Sequence, residues 1–206
     1  MKPMKRLTSV ALIACGLMSA NATIFDYSVL LSGPAESPAN ASPGFGIGTV
    51  EFDNFLNTLT LSLTFGNLLG TTTASHIHAA TASPFTLTAG VATTTPTFAG
   101  FPLGVTAGSY HTVLDLTLAS SYNPSYITAN GGTTAGAEAA LAAAMASGEA
   151  YWNIHTTDFA GGEIRGFLVA VPEPSSLTLL GLGGIGMAVC AWKNRRATKK
   201  IQTEPA

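Results

Sequence analysis

Thr58-Leu59-Thr60-Leu61-Ser62-Leu63-Thr64-Phe65 decides the fold. Its apolar residues recur at every second position, which is the side-chain period of a strand, so the segment predicts one buried leucine face and one wet threonine face. Leu114, Leu116 and Leu118 alternate with Val113, Asp115 and Thr117 in the same way. Further strands are predicted at 24–31, 46–52, 74–79, 150–156 and 163–169. Clusters of glycine, proline, asparagine and threonine separate them, a spacing that favours an antiparallel sandwich over alternating strands and helices. One exception is the alanine-rich stretch 135–147, which stops at Gly148 and predicts a short helix across one end of the domain. Residues 93–108, rich in threonine and glycine, predict a long loop.

Both ends of the chain read as signals. Lys2, Lys5 and Arg6 precede an apolar stretch at 7–18, and Ala20-Asn21-Ala22 supplies small residues at cleavage spacing, so 1–22 is a predicted secretory signal for signal peptidase. An alternative takes Leu12-Ile13-Ala14-Cys15 as a lipoprotein box with Cys15 lipidated. At the other end, Val171-Pro172-Glu173-Pro174 leads into an uncharged run at 175–192, closed by Lys193-Asn194-Arg195-Arg196. A helix of that length spans roughly 27 Å, enough to cross a bilayer, and the basic cluster favours the cytoplasmic side. Pro-Glu-Pro, apolar helix and arginine-rich stop, in this order, resemble the PEP-CTERM sorting signal. The resemblance implies recognition and cleavage by an exosortase and release at the cell surface, in bacteria that usually make exopolysaccharide. A permanent single-span anchor is the other reading. The expected organisation is a signal peptide at 1–22, a domain at 23–170, a sorting signal with transmembrane helix at 171–197, and a basic cytoplasmic tail at 198–206.

Charge follows the same division. Eight of the nine basic residues lie in the terminal segments, leaving only Arg165 between Thr23 and Val171 against nine acids, a balance of −8. Such a surface repels phosphate backbones, which excludes nucleic acid as a partner. Both cysteines, Cys15 and Cys190, also lie in the terminal segments, so the exported domain is stable without a disulfide.

Chemistry concentrates in Ser75-His76-Ile77-His78, Tyr151-Trp152-Asn153-Ile154-His155-Thr156 and Gly161-Gly162-Glu163-Ile164-Arg165-Gly166. Together with Leu31-Ser32-Gly33-Pro34-Ala35-Glu36, these motifs resemble, in order and spacing, the CHRD (chordin) domain. After His78 that family usually continues into a glycine-rich turn, where this chain has Ala79-Ala80-Thr81-Ala82-Ser83-Pro84. Strand parity puts His76 and His78 on one face, about 6.5 to 7 Å apart, with Ile77 opposite. It likewise groups Tyr151, Asn153 and His155, and groups Glu163, Arg165 and Phe167. With the isoleucines facing the core, the histidines, Glu163 and Arg165 are expected on the outer face.

Imidazoles so placed suit copper or zinc, with His76, His78 and His155 as candidate ligands. A His-x-His strand, a late histidine and a nearby arginine also look like the copper half of Cu/Zn superoxide dismutase, although its disulfide and zinc loop have no counterpart here. The expected fold is therefore all-β, an antiparallel sandwich that is Ig-like or superoxide-dismutase-like, with one short helix. A competing structural reading makes the same groups a buried polar network in which Arg165 pairs with Glu163 and the histidines bond backbone carbonyls. His111 has weaker standing. No Gly-x-Ser-x-Gly, mature cysteine or phosphate loop with lysine exists, so the domain is not expected to be an enzyme. Two readings remain: a binding or structural protein of the surface or matrix, with extracellular polysaccharide as a possible partner class, and an extracytoplasmic copper or zinc protein.

Overall fold

In the computed structural model, which describes residues 23–172, the leucine alternation forms the strand that the sequence predicts. This is β3 (Thr58–Gly66), in which Leu59, Leu61, Leu63 and Phe65 are all buried. It pairs with β2 (Phe45–Asp53), which pairs with β1 (Ile24–Ser32), bringing Tyr27, Val50 and Leu61 into line across three strands. On its other side β3 pairs with β5 (Gly108–Asp115), and β4 (Thr72–His78) pairs with β6 (Tyr151–Thr156). β6 pairs in turn with β7 (Ile164–Phe167), and β7 and β8 (Val169–Ala170) return the chain to β1. Every pairing is antiparallel.

The expected all-β antiparallel domain is present, built from one continuous eight-stranded sheet in the order β4-β6-β7-β1-β2-β3-β5, with β8 added on β1. The sheet curls until its two ends share a core. Phe98 lies 5.9 Å from Trp152 of β6 and 5.9 Å from Tyr110 of β5, ring centroid to centroid. At one corner Thr72 N–H donates to Val105 O and Gly104 N–H to Thr72 O, so the chain leading into β5 reaches the edge of β4.

The predicted helix is α2 (Thr134–Ala146), capped by the Thr133 hydroxyl and burying Ala137, Leu141, Ala144 and Met145. A shorter helix, α1 (Pro124–Ala129), was not expected. It starts because Asn123 caps it and Pro124 suits the first helical position. The strand predicted through Leu118 stops at Asp115, whose carboxylate accepts from Thr117 N–H and its hydroxyl and so turns the chain. Among the described residues no helix is long and apolar enough to cross a membrane. Ala20, Ala22, Glu173, Pro174, Arg195, Arg196 and the apolar run at 175–192 lie outside the described residues.

The loop between β4 and β5 does more than connect them. Ala92 N–H donates to Ile77 O, Phe98 N–H to Ser75 O, and the Thr93 and Thr97 hydroxyls accept from Ile77 and Ser75 N–H. The loop thereby satisfies the free edge of β4, where an unpaired strand would invite aggregation. It also folds over one face of β4, β6 and β7.

Candidate metal centre

That covered face carries the motifs. Register places His76 opposite Asn153 and Asn153 opposite Arg165, while His78 faces Tyr151 and Ala74 faces His155. The parity expectation therefore holds for His76, His78, Asn153, His155 and Arg165, which share one face. Its other half fails. This face is buried under the β4–β5 loop, leaving His76 6% and His78 8% exposed.

The three histidine rings pack together, with centroids 5.8 Å apart for His76 and His78, 5.2 Å for His76 and His155, and 6.1 Å for His78 and His155. One ring nitrogen of each lies within 4.8 Å of those of the other two. Each ring bonds a carbonyl through its other side: His76 Nε2 to Pro96 O, His78 Nδ1 to Ala89 O, and His155 Nδ1 to Ala160 O. A carbonyl only accepts, so each of those nitrogens carries the hydrogen and the opposite one carries a lone pair. Those opposite atoms, His76 Nδ1, His78 Nε2 and His155 Nε2, are buried without a hydrogen-bond partner. Burial holds all three rings below the usual imidazole pKa. His78 falls to about 4 by burial, with the neighbouring histidines and Arg165 adding to it against the Ala89 hydrogen bond. The folded domain thus presents neutral imidazoles.

Arg165 forms the wall beside the cluster. Its guanidinium lies 4.8 Å from the Tyr151 ring centroid, and Tyr151 stacks on His78 at 4.7 Å with a 6° interplanar angle. Arg165 Nε–H donates to Ala35 O and Nη1–H to Leu87 O, tying β7 to the turn after β1 and to the covering loop. Its acidic neighbour is Glu36, 4.0 Å away and equally buried. Desolvation raises Glu36 to about 7 despite that guanidinium and a backbone hydrogen bond at Ser37.

The predicted Glu163–Arg165 pair is corrected here. Glu163 stands one residue before β7, and its carboxylate accepts from Ser42 and Thr156 hydroxyls and from Leu69 and Gly70 N–H. Burial alone would raise its pKa, but those four donors outweigh it and hold the group below the usual range. Parity along a strand does not extend to a residue that precedes it. The two residues that sequence reasoning left without a role are Glu36 and Asn153. Gly162 brings them together: at φ +127°, a Cβ on it would stand 2.6 Å from the Asn153 amide and 2.7 Å from Glu36 Oε1. Glu36 closes the Leu31–Glu36 motif, so its place in the pattern was the available signal. His111 sits apart, exposed in the middle of β5 with Nδ1 2.8 Å from Ser62 Oγ.

No curated protein and no solved structure matches the chain. The PEP-CTERM protein-sorting motif matches residues 170–196, in agreement with the terminal sequence pattern. The CHRD domain matches residues 27–168, more than half of the 206, and that interval holds all three clustered histidines, Glu36 and Arg165; the chain belongs to the CHRD domain family.

Proposed function

We propose that the exported domain is a non-enzymatic metal-binding module that takes copper or zinc on His76, His78 and His155. The PEP-CTERM motif marks the chain for export and exosortase sorting, so the site works outside the cytoplasmic membrane. One observation carries the reading: three histidines in mutual contact each leave a buried ring nitrogen unpartnered. A purely structural network satisfies its buried polar atoms, because each orphan costs about 1–3 kcal/mol. Carbonyl bonds on the far side of each ring are the arrangement that orients metal-bound histidines. A tetrahedral ion with nitrogens at about 2.1 Å sets them about 3.4 Å apart, so small ring rotations complete the site. Three neutral nitrogen donors without a carboxylate suit copper and zinc, and copper is expected to bind more tightly.

Elemental analysis of the purified exported protein and calorimetric titration with each metal test this. At a metal concentration a hundred times Kd, stabilisation of about 2.7 kcal/mol raises Tm by roughly 5–10 °C. Replacing both His76 and His78 with glutamine should abolish that rise while the domain still folds. Because the folded rings stay neutral below the ordinary imidazole range, binding at pH 5.5 should persist in weakened form. Absence of binding at pH 7.5 by either metal sinks the proposal and returns these histidines to a structural or adhesive domain.

A further inference from the structure

The end of the domain opposite the Ser32 terminus of β1 carries large apolar side chains that no core uses. Phe55 and Leu56, at the tip of the β2–β3 hairpin, are 61% and 63% exposed, and Ile24 and Val171 beside them are 43% and 46% exposed. Folding does not require them. The Asp53 carboxylate makes the turn by accepting from Phe55 and Leu56 backbone N–H, which polar residues would supply equally well. The three segments are neighbours by hydrogen bonding: Ile24 faces Asp53, Asn54 N–H donates to Thr23 O, and Val171 N–H donates to Asp26 O.

At Val171 the described chain passes into the sorting motif, and the uncharged run starts at Ser175. With that run in the bilayer, as the sorting motif implies, four residues reach at most about 14 Å, so before processing this end stands close to the membrane. We infer that the patch formed by Phe55, Leu56, Ile24 and Val171 docks on the lipid surface of the outer leaflet, with the hairpin tip entering the interface. Nearby Asp26 and Glu51, paired across β1 and β2, oppose anionic lipid, so the surface is zwitterionic. Docking orients the domain with the histidine cluster away from the membrane. Arg165 pairs with Ser32, six residues along β1 from Asp26, or about 20 Å.

The test uses the full-length precursor in phosphatidylcholine vesicles, with Trp192→Phe removing the tail indole and Trp152 buried as an internal constant. Phe55→Trp or Leu56→Trp reports the tip, and Leu69→Trp reports an exposed site at the other end of β3. Lipids brominated near the headgroup end of the chains should quench most of the tip emission, with a blue shift, and leave Leu69→Trp unchanged. Two tip variants guard against one failing to fold, which an unchanged Tm checks. Equal or absent quenching at the two ends overturns the inference. Unquenched Phe55→Trp and Leu56→Trp reporters together with loss of tail removal in a Phe55→Ser, Leu56→Ser variant would assign the patch to a protein partner and also overturn it.

Discussion

The β2–β3 half of the sheet and the β4–β6–β7 half are built from the same alternation and use it differently. In β3 the buried and wet faces are what the sequence shows, since Leu59, Leu61 and Leu63 are covered while Thr64 meets solvent. In β6 the burial runs through Tyr151, Trp152, Asn153 and Ile154 without a break. There the second face is covered by the β4–β5 loop, so polar residues that parity sends outward end up buried. A strand pattern tells which residues share a face, and only tertiary cover tells whether that face is wet. The cost of that cover appears as carbonyl bonds to His76, His78 and Arg165, and as the three unpartnered nitrogens.

The sharpest way to break the comparison is at Glu163, where the two halves meet. Its buried carboxylate satisfies two backbone N–H groups of the β3–β4 turn and two hydroxyls, with only the bond from Leu69 near the surface. Glu163→Ala should cost about 3–5 kcal/mol in urea unfolding, since each unsatisfied buried donor costs about 1–3. A loss under 1 kcal/mol would mean that the turn is held by something else. The leucine half gives the next largest effect. Leu61→Ala should cost about 2–4 kcal/mol by opening a cavity, while Thr64→Ala on the same strand stays within about 0.5. Equal losses would show that β3 is covered on both faces too.

Much of this was legible beforehand. Period two located β3 and the other main strands, and parity, with the isoleucines turned to the core, grouped His76, His78 and His155. Glu36 as the neighbour of Arg165 was not legible, because it lies 129 residues away in sequence and meets Arg165 through the turn that follows β1. The burial of the histidine face was hidden for a related reason. Residues 93–108 read as loop by composition, but which face a loop covers depends on contacts such as Pro96 O with His76 that no local pattern encodes. The orientation of Glu163 was missed because strand geometry was extended one residue too far.

The smallest effect concerns pH and separates the two kinds of buried titratable group in the covered half. Glu36 keeps its proton in the folded state up to about pH 7 but loses it near 4.5 when exposed on unfolding. Its stabilising contribution is therefore full below about 4.5 and is lost as pH rises toward 7. The histidines act the other way: unfolded they take up protons below about 6.5, while folded they stay neutral to lower pH, His78 to about 4. Their contribution is full above 6.5 and is lost as pH falls toward 4. In metal-free buffer with a chelator, the two slopes oppose each other between pH 4.5 and 6.5, and three histidines outweigh one carboxyl, so Tm should rise across that interval. Glu36→Gln removes the opposing slope, and its Tm should climb more steeply than that of the unmodified protein between pH 4.5 and 7. A glutamine profile parallel to the original would mean that Glu36 is ionised in the fold and neutralised by Arg165, which would turn the 4.0 Å approach into a true ion pair.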